Sequence, residues 1–173
     1  MLLFERLKRV RAFVFDVDGV LTDGQVLVTE SGEQLRSFNI KDGYALQLAV
    51  KRNYPIAIIT GGRSEGVRRR MEGLGIRSVF MNVRVKEAVL TTWMHQYNLQ
   101  REDLLVMGDD VPDLPLMEGA GLAACPDDAI EDIKHKAHYI SALKGGQGAV
   151  RDVIEKVMRL QGTWDSNPEI KSI

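Results

Sequence analysis

The sequence has 173 residues and a formal net charge of -1, from 23 Lys and Arg against 24 Asp and Glu. The length predicts one domain, and a hydrophobic content of 45% excludes a disordered chain. The balanced charge argues against partners such as nucleic acid or an anionic membrane, and no run approaches the ~20 apolar residues of a membrane helix. Charge begins at Glu5, too early for a signal peptide, and the single Cys125 cannot form an internal disulfide, so we expect a cytoplasmic protein.

Short apolar runs alternate with helical patterns along the chain. Nearly continuous apolar runs are typical of strands buried on both faces of a parallel sheet. The predicted strands are, in order, residues 10–15, 54–60, 78–81, 104–107, 121–124 and 137–140. The predicted helices are residues 42–52, 64–73, 86–97, 113–119, 129–134 and 148–160. This alternation predicts an α/β fold with a doubly wound, Rossmann-like parallel sheet.

One segment interrupts the alternation directly after the first strand. Two extended runs, residues 25–29 and 34–38, flank the turn Glu30-Ser31-Gly32-Glu33, which predicts a β-hairpin over about residues 24–38. No gap between the predicted elements is long enough for a cap domain. We therefore expect a single domain over residues 1–162. Residues 163–173 are polar and lack periodicity, which indicates a C-terminal tail.

Acidic and hydroxyl side chains stand where predicted strands end. These residues are Asp16, Asp18, Thr60, Asp109, Asp110 and Asp113. Because ligands bind at the carboxyl ends of parallel strands, we expect these side chains to meet at one edge of the sheet. Unneutralised carboxylates there would repel one another and raise their pKa values. A hard cation resolves that repulsion, and an all-oxygen cluster favours Mg²⁺.

Four motifs, in this order, resemble those of the haloacid dehalogenase superfamily. They are Asp16-Val17-Asp18-Gly19-Val20, Ile59-Thr60-Gly61, Lys86 and Gly108-Asp109-Asp110-Val111-Pro112-Asp113. The resemblance implies that Asp16 is a nucleophile that forms an aspartyl-phosphate. It implies that Asp18 protonates the leaving alkoxide and then deprotonates the attacking water.

The same resemblance implies roles for the remaining motif residues. Asp16 and Asp109 would hold Mg²⁺ by their side chains, and Asp18 would add its backbone carbonyl. Thr60 would hold the transferring phosphoryl group, and Lys86 would neutralise charge on Asp16 and on the phosphate. The residues that would orient the metal ligands are Asp110 and Asp113.

A narrower resemblance extends over nearly the whole chain. The first motif continues as Leu21-Thr22-Asp23-Gly24, the hairpin is followed by Phe38-Asn39-Ile40-Lys41-Asp42-Gly43-Tyr44, and Gly145-Gly146-Gln147-Gly148 comes later. This pattern is similar to the capless phosphatases of 3-deoxy-D-manno-octulosonate 8-phosphate (KDO8P), in the form found in their Bacteroidetes branch. It implies hydrolysis of that ester to KDO and phosphate in lipopolysaccharide precursor synthesis. It also implies a homotetramer in which the hairpins form a barrel and a neighbouring subunit covers each active site.

Substrate-binding residues are also implied by the KDO8P phosphatase resemblance. They are Asn39, Lys41, Asp42, Gly43, Gly61, Gly62, Arg63 and Arg70. Arg70 would face the carboxylate or phosphate of the sugar acid, since a guanidinium suits bidentate recognition. Many members have a basic residue two positions after the second-motif threonine, where this chain has Gly62 followed by Arg63. The final residues Lys171-Ser172-Ile173 resemble a tail that reaches a neighbour's active site in related enzymes.

Three alternative functions fit parts of the sequence. The same chemistry could act on a nonulosonate 9-phosphate, a sialic-acid-type substrate. A response-regulator receiver also combines an acid cluster, a Thr and a Lys on a doubly wound sheet, but its acidic pair follows the first strand, whereas Asp109-Asp110 comes late. A noncatalytic regulatory homologue is the third, and the presence of both Asp16 and Asp18 counts against it.

Overall fold

The structure is a computed structural model that describes residues 1–167, 169–170 and 173. Within this part of the chain, six strands form one parallel sheet in the order β5-β4-β1-β6-β7-β8. The sheet strands are β1 (Ala12–Phe15), β4 (Ile56–Ile59), β5 (Ser78–Phe80), β6 (Leu104–Met107), β7 (Leu122–Cys125) and β8 (Tyr139–Ile140). The predicted doubly wound parallel sheet is therefore confirmed.

Helices cover both faces of the sheet. They are α1 (Leu3–Arg9), α2 (Ile40–Lys51), α3 (Glu65–Gly73), α4 (Lys86–Tyr97), α5 (Leu114–Met117), α6 (Glu131–Lys136) and α7 (Ala149–Leu160). Alternate strand residues face opposite sides: Phe13 packs into the core under α1, α2, α3 and α7, whereas Val14 packs into the core under α4, α5 and α6. Burial on both faces explains why the central strands are continuously apolar.

Strand order reverses between β1 and β6. From β1 the chain first adds β4 and β5 on one side and then returns to place β6 on the other. In a doubly wound sheet, such a reversal opens a crevice at the carboxyl ends of the strands. The loops that follow β1 and β6 carry Asp16 and Asp109, so the fold places both at this crevice.

The hairpin stands apart from the sheet. Its strands, β2 (Leu27–Val28) and β3 (Gln34–Leu35), pair antiparallel and form a two-stranded sheet of their own. Gly32 closes the turn with φ of +85°, a conformation that favours glycine. The predicted hairpin is confirmed, with shorter strands than the sequence indicated. In the described chain, no cap domain is inserted between the elements of the sheet.

Two helices differ from the sequence-based prediction. Helix α1 was not predicted, because a seven-residue segment at the chain start carries too few apolar positions to define a period. The predicted helix at residues 113–119 is shorter: a 3₁₀ turn, Val111–Asp113, precedes α5, which ends where Glu118 becomes extended. Asp110 starts the turn by accepting a hydrogen bond from the Val111 N–H at 2.7 Å.

Residues after α7 pack on their own chain. Trp164 contacts Tyr44 of α2 edge to face, and Asp165 pairs with Arg52 at 2.8 Å. The Asn167 N–H donates to the Tyr44 hydroxyl at 2.9 Å. Of the residues Lys171-Ser172-Ile173 that carry the tail resemblance, the first two lie outside the described residues, and the Ile173 carbonyl lies 3.1 Å from where a β-carbon on Gly43 would stand. Among the described helices, none has the length and apolar content needed to cross a bilayer.

Candidate active site

Three carboxylates converge at the crevice. Oxygen atoms of Asp16, Asp109 and Asp113 all lie within 4.8 Å of one another. Asp16 directly follows β1, and the other two belong to the loop and 3₁₀ turn that follow β6. The cluster forms because β1 and β6 are neighbouring strands, with Phe15 paired with Met107. The two strands therefore end side by side, and the loops that follow them begin at the same edge of the sheet.

Lys86 joins two of these carboxylates. It is the first residue of α4 and is buried, and its Nζ lies 2.7 Å from Asp16 Oδ1 and 2.7 Å from Asp113 Oδ1. The other Asp113 oxygen accepts the Asp109 N–H at 3.0 Å. Asp113 therefore fixes both the lysine and the loop that carries Asp109.

The charge balance of the cluster is incomplete. Burial raises the pKa of Asp16 to about 7, with repulsion from Asp113 adding to the shift and Lys86 opposing it. Burial raises the pKa of Asp109 to about 8, and repulsion from Asp113 and Asp16 adds to it. Burial by itself lowers the pKa of Lys86, but its two carboxylate partners outweigh this and raise it. One lysine thus serves two carboxylates, and Asp109 has no cation of its own among the described residues.

The donor set fits a hard divalent cation. Asp109 Oδ1 is buried without a hydrogen-bond partner in the described structure. Gly19, with φ of +89°, makes room for the Asp109 carboxylate itself, which stands where a β-carbon on residue 19 would be. Oxygen ligands and an uncompensated negative charge are what Mg²⁺ requires.

Thr60 and the two glycines after it form a second wall. Thr60 is buried at the end of β4, and its Oγ1 accepts the Gly62 N–H at 3.1 Å. A cleft of about 720 Å³ opens between this wall and the acidic loop. Its lining includes the predicted residues Asp16, Asp18, Thr60, Gly61, Gly62, Lys86, Asp109, Asp110 and Asp113.

Two arginines at the site were not anticipated from the sequence. Arg36, just after β3, donates from Nε to Asp18 Oδ1 at 2.6 Å and from Nη2 to Asp18 Oδ2 at 3.2 Å. Arg84 lies in the loop before α4 and lines the cleft. The sequence signal that could have indicated Arg84 is its position two residues before Lys86. For Arg36, no signal in the sequence indicates that the hairpin folds back onto the first motif.

The predicted substrate-binding residues separate into two groups. Arg63 and Arg70 line a neighbouring groove of about 670 Å³ between the hairpin and the start of α3, and Arg36 lines it too. Arg70 Nε is buried there without a partner among the described residues. The groove and the cleft adjoin at Gly62, which lies beside Asp18 and Arg36.

The second group lies outside the cleft, and three of its four members contact neighbouring parts of the fold. Asn39 caps α2 and donates from Nδ2 to the Gly146 carbonyl at 3.2 Å. Asp42 is buried and accepts the Arg151 N–H at 2.7 Å, which caps α7. Gly43 packs so closely that a β-carbon would lie 2.7 Å from Arg70 Nη2. Lys41 is exposed and lines a separate groove beside α7. None of these four lines the catalytic cleft of the described chain.

Comparisons with known proteins agree with this geometry. A sequence profile of the family described as haloacid dehalogenase-like hydrolase matches residues 82–154. The chain is 34% identical over 160 residues to the 3-deoxy-D-manno-octulosonate 8-phosphate phosphatase of Salmonella typhi, covering 92% of this chain and 85% of that one. The crystal structure of the Yersinia pestis phosphatase of the same name superposes with a TM-score of 0.91 at 33% identity, covering 93% of this chain and 87% of that one.

A second similar structure was solved with ligands. The Moraxella catarrhalis 3-deoxy-D-manno-octulosonate 8-phosphate phosphatase, in complex with magnesium, phosphate and KDO, has a TM-score of 0.88 at 31% identity. The alignment covers 92% of this chain and 91% of the Moraxella catarrhalis chain. The capless doubly wound sheet and the lysine-bridged acidic cleft define a haloacid dehalogenase-like hydrolase. Within that class, the chain belongs to the family of 3-deoxy-D-manno-octulosonate 8-phosphate phosphatases.

Proposed function

We propose that this chain is a Mg²⁺-dependent phosphomonoesterase that hydrolyses KDO8P to KDO and phosphate, a step in lipopolysaccharide precursor synthesis. The observation that carries the proposal is the Asp16–Lys86–Asp113 arrangement beside the uncompensated Asp109. Family membership supports the substrate and does not favour the nine-carbon ester, the receiver or the regulatory alternative.

The metal would be held by the acidic side of the cleft. Asp16 and Asp109 would contribute carboxylate oxygens, and Asp18 would contribute its backbone carbonyl. Asp113 and Asp110 would orient the loop that carries Asp109, the first through its bond to the Asp109 N–H and the second as the cap of the 3₁₀ turn. When bound, Mg²⁺ neutralises the carboxylates and the phosphate so that the two can approach.

The first half-reaction transfers the phosphoryl group to Asp16. One Asp16 oxygen attacks phosphorus in line, the bond between phosphorus and the sugar oxygen breaks, and Asp18 gives that oxygen its proton. Lys86, at 2.7 Å from Asp16, stays close to the charge that develops on the phosphoryl oxygens. Thr60 and the Gly61 N–H would hold those oxygens on the opposite wall, whereas the Gly62 N–H already donates to Thr60 Oγ1.

The second half-reaction returns the enzyme to its starting state. Asp18 takes a proton from a water molecule, the water oxygen attacks phosphorus, and the bond between phosphorus and Asp16 breaks. Inorganic phosphate leaves, and Asp16 is again a free carboxylate. The exchange of one proton on Asp18 balances the two halves.

The sugar acid would extend from the cleft into the groove beside it. Arg63 and Arg70 line this groove, and the partnerless Arg70 Nε supports a role in binding the sugar carboxylate. We propose that Asn39, Asp42 and Gly43 support the groove wall through their contacts with Gly146, Arg151 and Arg70, respectively. Lys41 would act from the outer rim.

The working unit would be a homotetramer in the cytoplasm. Leu27, Val28 and Leu35 expose apolar side chains on a hairpin that is marginal as an isolated two-stranded unit. Packing of hairpins from several subunits would bury these side chains and cover the open cleft. The lone, buried Cys125 thiol fits a reducing compartment. Light scattering tests the assembly, and a monomeric mass would contradict it.

A phosphate-release screen tests the activity. We expect purified protein to release phosphate from KDO8P in the presence of Mg²⁺ and to lose this activity in EDTA, with recovery when Mg²⁺ is added back. The nonulosonate 9-phosphate is the matched comparison substrate, because it has the same carboxylate and phosphate ester groups as KDO8P. A higher kcat/KM for the nine-carbon ester would overturn the substrate assignment, and equal activity in EDTA would overturn the metal requirement.

A further inference from the structure

Asp18 is held by a residue from outside the sheet. Arg36 makes a bidentate pair with its carboxylate, with Nε to Oδ1 at 2.6 Å and Nη2 to Oδ2 at 3.2 Å. The Arg36 side chain is only 6% exposed, whereas that of Asp18 is 33% exposed. A guanidinium that binds both oxygens fixes the plane of a carboxylate as well as its position.

The pair uses only part of the hydrogen-bonding capacity of the Asp18 carboxylate. Each carboxylate oxygen has two lone pairs, and Arg36 uses one on each. Asp18 lines the cleft, and its side chain is partly exposed. Arg36 thus removes the rotational freedom of the carboxylate without closing it off from a leaving oxygen or a water molecule.

Gly62 makes room for this arrangement. A β-carbon at residue 62 would lie 3.3 Å from Asp18 Oδ2, 3.4 Å from Thr60 Oγ1 and 3.6 Å from Arg36 Nη2. The Asp18–Arg36 pair therefore lies against the wall that faces the transferring phosphoryl group. A β-carbon at this point would press on Asp18 Oδ2 and would make ordinary contacts with Thr60 and Arg36.

Arg36 belongs to the hairpin region and not to the sheet that positions the other functional groups. It follows β3, and 18 residues separate it from Asp18. The contact brings the base of the hairpin against the first motif. The orientation of a catalytic carboxylate consequently depends on where the hairpin lies.

We propose that Arg36 is a positioning residue of the phosphatase reaction, which locks the Asp18 carboxylate toward the cleft and links the hairpin to the chemistry. This inference rests on the proposed function, because it assigns Arg36 an effect on the proton-transfer step of that reaction. Arg36 acts through Asp18, so its effect must disappear when Asp18 can no longer transfer a proton.

A double-mutant cycle measures this dependence. Arg36→Gln should lower kcat on KDO8P about 10²-fold, as expected for a misplaced catalytic group, with KM changed less than about 3-fold. Arg36→Lys, which keeps the charge but loses the bidentate geometry, should lose about tenfold. In the Asp18→Asn background, adding Arg36→Gln should change kcat by less than about 3-fold, because contacting residues that act as a unit are not additive.

Matched controls separate positioning from a general effect on folding. Arg69→Gln removes another arginine–carboxylate pair, the exposed one with Glu65 at 3.1 Å, and should leave kcat unchanged. Thermal unfolding of every variant is measured alongside. Gly62→Ala perturbs the pair without removing its charge and should also lower kcat more than it raises KM.

The outcomes distinguish this inference from the proposed function. Additive losses in the cycle, a loss confined to KM, or full activity in Arg36→Gln would overturn the positioning role. If the wild type releases phosphate only from another ester, the cycle is run with that ester and has the same meaning. If it releases phosphate from no ester, the proposed function fails and the inference fails with it.

Discussion

The acidic cleft and the hairpin are built in opposite ways. The cleft stands at the ends of fully buried strands, and its central ion pairs, from Lys86 to Asp16 and Asp113, are themselves buried. The hairpin has strands of two residues with exposed apolar side chains. The difference teaches that a single chain assembles the acidic cleft on its own, whereas the hairpin needs further contacts to be stable. Arg36 connects the two regions.

Removing Asp16, the proposed nucleophile, should affect the cleft side of this comparison most strongly. We expect Asp16→Asn to lower phosphate release by at least about 10⁴-fold, since no carboxylate remains to accept the phosphoryl group. The amide is neutral and of the same shape, so the raised pKa of Asp16 indicates that folding should not suffer. Steady-state kinetics and thermal unfolding check this, with the exposed Asp165→Asn as a fully active control. Normal turnover by Asp16→Asn would refute the assignment.

Removing the shared lysine should affect both activity and stability. In Lys86→Met, two buried carboxylates lose their cation, so we expect kcat to fall about 10³-fold and the metal-free protein to lose about 3 kcal/mol of stability. Urea unfolding measures the second effect. Lys51→Met removes a lysine whose pair with Glu169, at 3.9 Å, is exposed, and should change stability by less than about 0.5 kcal/mol. Equal stability of the two variants would show that the cleft does not depend on Lys86.

The positions of polar residues directly after predicted strands were sufficient to locate the cleft from the sequence. Asp16, Thr60 and Asp109 each follow a short apolar run, and parallel strands deliver such residues to one edge. The doubly wound sheet follows from the same runs. These predictions depend on local patterns and on one topological rule, which is why they transfer directly to the structure.

Features that depend on long-range packing could not be predicted in the same way. The hairpin's approach to Asp18 depends on how a short loop folds back, and no periodicity encodes that path. The contact between Asp42 Oδ1 and the Arg151 N–H joins residues 109 positions apart at the start of α7, and no local pattern indicates it. The tail residue Trp164, in a segment without periodicity, packs on Tyr44 of α2.

Charging the hairpin should separate the two regions. We expect Leu27→Glu, at a side chain that is 68% exposed, to reduce the mass in solution from that of the proposed tetramer to smaller species and to lower kcat/KM about tenfold. The fold of the single chain should remain, because Leu27 contributes nothing to its core. Leu2→Glu, at a side chain that is 73% exposed on the N-terminal segment, is the matched control. Light scattering that shows the same mass for Leu27→Glu and wild type would place the assembly surface elsewhere.

Asp42 tests where the boundary between the two regions lies, because it follows the hairpin yet is buried against α7. Burial raises the pKa of Asp42 to about 6, against an ordinary value of 3.8, although the N–H groups of Arg151 and Gly148 oppose the shift. The folded protein therefore binds this proton more tightly than the unfolded chain does. Its contribution to stability is fully present below the ordinary value and is lost as the pH rises through about 6.

The variant Asp42→Asn should remove that loss. It keeps an oxygen for the Arg151 N–H and never ionises, so we expect it to match wild type near pH 4 and to exceed it by about 2 kcal/mol above pH 7. Urea unfolding at several pH values measures the difference, and Asp165→Asn should show no such trend because that carboxylate is exposed. KM for KDO8P should change less than about 2-fold, since Asp42 is buried, its Oδ1 accepts the Arg151 N–H, and the residue lines neither the cleft nor the groove. A large rise in KM without the gain in stability would instead make Asp42 a direct substrate ligand and would extend the binding site beyond the groove.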